Sequence, residues 1–335
     1  PPRSTLFPYT TLFRSGLAGK IEPEDIVGST PQSSRSSQDP LAPLKELYNV
    51  ENIIEQLKKL QATWKVAKED GDDAPEVGNF VFRGSPGTGK TTVARVMAKV
   101  LFDLELIATD KIVETSGLQM TGEYLGQTKK KVLEMMNSAR GGVLFIDEAY
   151  SLGKGFYSEE AVTTIVEGIT STELRGLVVI IAGYPREMDS MLDTNPGLKS
   201  RFIHSFDFKD WIPRNSFEFL RSLASKEGFD LNDKVSTVMI PGFERLSALP
   251  GWANGRDVGT IWKQMKSCRA VRIKKEEEEG FEKGRDIDKK VITEEDARLT
   301  VEQMISQRIA PTGIGTAKPI HSLTIPPTPA LQTAS

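Results

Sequence analysis

The stretch GSPGTGKTT, Gly84 to Thr92, limits this chain more than any other part of it. Three apolar residues, Phe80 to Phe82, lead into it as a short strand. Behind it Val93, Val96, Met97, Val100, Leu101 and Leu104 recur at helical spacing. A glycine-rich turn joining a strand to a helix, with the pattern G-x-x-x-x-G-K-T, is a loop that wraps phosphates. Its glycines let backbone N–H groups turn inward, and the following helix offers its positive end. Lys90 is expected to reach the β and γ phosphates and the Thr91 hydroxyl to face magnesium. Gly84, Pro86, Gly87, Thr88, Gly89, Lys90, Thr91 and Thr92 are therefore assigned to binding a nucleotide together with Mg2+.

GVLFIDEAY supplies a second half. Val143 to Ile146 predict a buried strand whose first charges, Asp147 and Glu148, emerge at its carboxyl end, where open α/β sheets bind ligands. Asp147 is expected to support the metal shell and Glu148 to polarise a water, which turns binding into hydrolysis. The developing charge on a transferred phosphoryl group also needs cations. Arg201 in NPGLKSRF and Arg256 in WANGRDV are candidates; by spacing alone each is equally readable as a surface arginine.

Short apolar runs alternate with helical periods as far as residue 211, predicting a parallel sheet with helices on both faces. Leu44 to Leu60 read as one helical stripe, Leu106 to Ala108 as the second strand, Leu177 to Ala182 as the fourth and Phe206 to Phe208 as the last. Residues 44–211 form the expected large domain and 212–310 a small helical one, with helices around Phe217, Ile261 and Val301. Residues 16–43 read as a Ser/Pro-rich linker and 311–335 as a Pro/Thr-rich disordered tail. LFPYTTLFRS, Leu6 to Ser15, matches the translation of a common sequencing adapter, so residues 1–15 are set aside and N-terminal targeting is not assessed.

Forty-three basic against forty-six acidic side chains give no overall attraction to nucleic acid, and no apolar run reaches the roughly 20 residues of a membrane helix. Neither partner is expected. One cysteine, Cys268, fits an intracellular setting, cytoplasmic or nuclear, and is expected to be structural. His204 and His321 show no metal-ligand spacing.

GSPGTGKTTVAR, TGEYLGQT, GGVLFIDEAYSL, VVIIAGY and NPGLKSRF occur in one order, over residues 44 to about 307. In this the chain resembles an AAA+ ATPase module of the red-type Rubisco activase (CbbX) and stage V sporulation protein K group. The resemblance implies a ring, usually a hexamer, with ATP at subunit interfaces. It implies that Arg201 is the finger given to a neighbour and Arg256 the sensor-2 arginine of a helical lid. It also implies that Tyr124, Leu125 and Gly126 form a pore loop gripping a polypeptide client. Tyr184 falls where the wider superfamily carries a polar sensor-1 residue, and either a hydroxyl role or a packing role fits it. LPGWANGRDV is similar to the lids of fungal tandem AAA+ proteins, which makes a tandem-module ring an alternative to a homo-hexamer. A nucleotide-dependent scaffold or inactive module, and a nucleic-acid motor, are the competing classes.

Overall fold

The computed structural model describes residues 39–309 apart from 49, 72–76, 123–125, 154–157, 232 and 279–289. The adapter-like segment, the linker up to residue 38 and the tail lie outside the described residues, as do Tyr124 and Leu125.

The amino-terminal stripe forms two helices, α1 (Ala42–Lys45) and α2 (Glu51–Asp70), instead of one. Leu41, Leu44, Val50, Ile53 and Leu57 are all buried in one cluster, so packing begins before Leu44. The large domain continues as β1 (Phe80–Gly84), α3 (Lys90–Asp103), β2 (Ile112–Ser116), α4 (Gly117–Met120), α5 (Gln127–Ser138), β3 (Val143–Asp147) and α6 (Ser158–Thr170). β4 (Val178–Gly183), α7 (Pro185–Thr194), α8 (Pro196–Lys199) and β5 (His204–Phe208) complete it.

The five strands lie in the order β2-β3-β4-β1-β5, and every pairing is parallel. Both faces of the sheet are buried, as side-chain alternation along each central strand requires. Phe80, Phe82, Phe145 and Ile180 pack beneath α2 and α3, whereas Val81, Leu144, Ile146 and Ile181 pack beneath α5, α6 and α7. Each fully buried aromatic or aliphatic side chain contributes about 1.5–3 kcal/mol. The ring of Phe80 stacks on Phe206 of the edge strand, with centroids 5.7 Å apart.

The second strand is Ile112–Ser116, not Leu106 to Ala108. β2 is an edge strand paired only with β3, and of its residues only Thr115 is buried, so IVETS carries no continuous apolar run. Ile107 is buried as part of a loop packed on the core.

Four helices, α9 (Pro213–Lys226), α10 (Asp233–Ser247), α11 (Asn254–Glu278) and α12 (Glu294–Ile309), bury a separate cluster. Helix α10 escapes a reading by pattern because Pro241 and Gly242 lie inside it and resemble a break. Tertiary packing overrides that signal, since Val235, Met239, Phe243 and Leu246 form a fully buried stripe. Trp211, on the large-domain side of the expected boundary, packs in the helical core. Cys268 is buried on α11 and its Sγ donates to Gln303 Oε1 at 3.4 Å. His204 is the first residue of β5, half-buried and stacked on Phe80 with centroids 4.8 Å apart.

Candidate nucleotide site

The carboxyl ends of β1 and β3 open on one edge of the sheet, separated by β4. From β1 the chain turns through Ser85–Gly89 into α3, with Gly87 at φ 71 and Gly89 at φ 103, both left-handed. A Cβ on Gly87 would collide with the Ala253 carbonyl oxygen, so the loop lies directly against the start of α11. Thr88 Oγ1 donates to the Ser85 carbonyl at 2.8 Å and closes the turn.

Lys90 folds back over this loop and donates from Nζ to the carbonyls of Gly84 at 2.7 Å and Ser85 at 2.9 Å. Burial pulls its pKa below the ordinary lysine value, and the Arg256 charge adds to that, while Asp147 and Asp210 oppose it. The ammonium thus stands within the field of the residues a phosphate chain would meet.

At the end of β3, Asp147 is half-buried and Glu148 exposed. Glu148 adopts φ 47, an uncommon value for a side chain of its size. The turn is held by Glu148 N–H donating to Asp147 Oδ1 at 2.9 Å and by Ser151, whose N–H and hydroxyl both donate to the Glu148 carbonyl at 2.9 and 2.8 Å. Beyond it, the rings of Tyr150 and Tyr184 stack at 5.7 Å. Burial, then the Glu148 charge, pushes the Tyr150 hydroxyl pKa upward.

These groups share one cavity of about 670 Å3. Its lining brings together Pro86, Gly87, Thr88, Gly89, Lys90, Thr91, Thr92, Asp147, Glu148, Tyr184 and Arg256. Gly84 is not in the lining but ends β1 beneath the loop, where a Cβ would come within 2.5 Å of the Phe208 carbonyl oxygen. The cavity also has a wall that sequence reasoning missed: Tyr48, Trp211 and Phe219. Trp211 meets Phe219 edge-on at 5.1 Å and Tyr48 at 5.5 Å. Such a wall suits a planar base at one end of a pocket whose other end is cationic. The available signal was Trp211 at the junction of two composition regimes.

Thr91 and Asp147 offer a hydroxyl and a carboxylate, hard oxygen donors of the kind magnesium takes alongside phosphate oxygens. Among the described residues no group of three or more His, Cys, Asp or Glu is placed to hold a metal alone. The donor set therefore fits a metal carried in with a nucleotide.

Arg201 is outside the cavity. It follows α8 at the amino-terminal edge of the strands, with Nη1 donating to the Gly197 carbonyl at 2.8 Å. Its Nε is buried with no hydrogen-bond partner among the described residues. Gly126 caps α5 at φ 81, next to the undescribed Glu123–Leu125. The flanks of that segment are anchored, since Gly122 N–H donates to the buried Thr128 hydroxyl at 2.9 Å and Lys131 Nζ to the Thr121 carbonyl at 3.1 Å. No helix among the described residues is long and apolar enough to cross a membrane.

Two family descriptions match this chain: "AAA: ATPase family associated with various cellular activities (AAA)" over residues 80–209 and "AAA lid domain" over residues 217–307. Stage V sporulation protein K of Bacillus subtilis is 31% identical over 241 residues, 69% of this chain and 74% of that protein. The ESX-1 secretion system protein EccA1 of Mycobacterium leprae is 31% identical over 285 residues, 79% of this chain and 50% of its own length. The chain therefore spans about half the length of that relative. Among solved structures, a Thermotoga maritima RuvB variant superposes with a TM-score of 0.50 over 73% of this chain and 67% of its own, at 20% identity, which shows a shared fold.

Proposed function

We propose, from the premise that the chain belongs to the AAA family of ATPases and is an ATP-hydrolysing enzyme, that it is a ring-forming machine that remodels a polypeptide. On this reading it belongs with the group of CbbX and stage V sporulation protein K. One observation carries the reading: Lys90, Thr91, Asp147, Glu148 and Arg256 converge on one cavity, while Arg201 stands on the opposite edge of the sheet. A cavity lined by Lys90 and Arg256, in a chain whose Arg201 lies elsewhere, suits assembly in which each copy's Arg201 joins its neighbour's site.

In this reading the aromatic wall takes the adenine, the loop from Pro86 to Thr92 takes the phosphates, and Thr91 and Asp147 would hold magnesium, which would neutralise phosphate charge. Glu148 accepts a proton from the attacking water as the bond between the γ phosphorus and its bridging oxygen breaks, giving ADP and phosphate. Lys90, Arg256 and a neighbour's Arg201 meet the charge that develops. Loss of the γ phosphate then lets the large and helical domains rotate about residues 209–215, and the segment carrying Tyr124 and Leu125 moves a bound client.

Glu148→Gln tests the centre of this. The variant is expected to bind ATP and assemble with turnover reduced about a hundredfold or more. Hydrolysis at the wild-type rate would remove Glu148 from its role.

A further inference from the structure

The start of α11 is fastened to the phosphate loop through one buried side chain. Asn254 is 0% exposed and sits at φ 44, a left-handed conformation that asparagine enters more readily than most residues. Its Oδ1 accepts the Trp211 N–H at 2.8 Å. Its Nδ2 donates both protons, to the Pro86 carbonyl at 3.1 Å and to Asp210 Oδ1 at 2.9 Å. One amide thereby ties the phosphate loop, the hinge and the helical domain together. The next residue repeats the tie, since Gly255 N–H donates to the Gly87 carbonyl at 3.0 Å. A Cβ on Gly255 would come within 2.7 Å of the Trp211 ring, so the approach is already close. The residue after that is Arg256, in the cavity lining.

Peptide planarity gives this fastening a consequence. The Pro86 carbonyl and the Gly87 N–H belong to one rigid plane, and the Gly87 carbonyl and the Thr88 N–H to the next. Any rotation that turns those N–H groups toward a phosphate turns the two carbonyls as well. Both carbonyls are held by the helical domain, one by Asn254 Nδ2 and one by Gly255 N–H.

We propose that Asn254 is a positioning residue that converts reorientation of the Pro86–Thr88 peptides into movement of α11, so that Arg256 advances or withdraws with the state of the phosphate loop. This rests on the nucleotide reading of that loop. It differs from a role for Arg256 alone because the signal enters through backbone carbonyls and needs no contact between Arg256 and phosphate.

The test uses the full chain with ADP and with a non-hydrolysable ATP analogue. Asn254→Gly keeps the left-handed backbone accessible and removes the amide, whereas Asn254→Asp keeps the shape and sets oxygen against the Pro86 carbonyl and the Asp210 carboxylate. Spin labels at Lys99 on α3 and Lys263 on α11, both exposed, report the angle between the domains. Wild type is expected to change its label distance between the two nucleotides and to discriminate between them in affinity. Both variants should lose the change, and discrimination should fall about tenfold.

Folded variants that keep the distance change and the discrimination would overturn the inference. If neither variant folds, amide exchange in wild type decides: protection at Gly255 and Trp211 should differ between nucleotide-free and nucleotide-bound protein, and identical exchange overturns it. Wild type that binds neither nucleotide overturns this inference together with the nucleotide reading. Wild type that binds while the variants still respond overturns this inference alone.

Discussion

Asn79 donates from Nδ2 to the carbonyl of Arg201 at 3.2 Å, and on its other atom accepts the Val179 N–H at 2.8 Å. Both bonds lie at the amino-terminal edge of β1 and β4, with Asn79 itself only 5% exposed. The phosphate loop is at the far end of β1, about 16 Å away at 3.3 Å per residue. The Arg201 backbone is therefore held at the edge opposite that loop, outside the cavity lining.

If a neighbouring copy receives Arg201, Arg201→Ala should bind ATP with wild-type affinity and turn it over roughly a thousandfold more slowly. Mixing it into wild type should poison activity beyond simple dilution, because each defective copy also disables a neighbour's site. A strictly proportional fall in a titration of ATPase rate would show that Arg201 acts within its own chain or not at all.

Asn79→Ala leaves the Val179 N–H and the Arg201 carbonyl without their partner. A destabilisation of about 1–3 kcal/mol is expected from stranding buried backbone groups. Denaturant melts measure it, and the ATPase rate of folded protein should fall with it. A variant as stable as wild type would mean that water replaces both bonds.

The aromatic wall predicts a binding defect without a chemical one. Tyr48→Ala removes a ring that meets Trp211 and leaves Lys90, Asp147 and Glu148 untouched. ATP affinity should fall about tenfold while kcat at saturation holds, the pattern expected of a ring worth about 0.5–1.5 kcal/mol beyond its area. A drop in kcat with unchanged KM would place Tyr48 elsewhere in the cycle.

Tyr124→Ala addresses the proposed grip. Nucleotide-dependent assembly should survive, and stimulation of ATPase by an unfolded polypeptide should disappear. Stimulation at the wild-type level would leave the loop without a client-binding role while the ATPase reading stood.

His204 predicts an acid-side weakness. Its Nε2 donates to the Val77 carbonyl at 2.9 Å, and burial lowers its pKa from 6.5, with that contact opposing the shift. Well above pH 6.5 neither state is protonated and the residue adds no pH dependence. As pH falls through that value toward the lower folded one, the unfolded chain takes up the proton first and stability drops, levelling off below the folded pKa. His204→Gln should flatten this component in urea melts between pH 7.5 and pH 5, conditions chosen to bracket a histidine near 6.5. A slope identical to wild type would assign the loss to carboxylates.

Much of the large domain was legible in the chain because its signals are local. The turn GSPGTGKTT and the run VLFID each carry their own geometry, and alternation along central strands fixes two buried faces. β2 was misplaced because an edge strand needs no apolar run, and α10 was missed because packing of Met239 and Phe243 outweighs an internal proline. The sequence alone determined the fold class and that Lys90 follows one strand while Asp147 and Glu148 close another, since those depend on residue type beside a short apolar run. Only tertiary structure decided that Tyr48, Trp211 and Phe219 close the same cavity, that Arg201 lies outside it, and that Asn254 ties its loop to the lid. Asn254 alone bonds residues 43 and 168 positions away, and no periodicity records a contact that exists only once separate elements have docked.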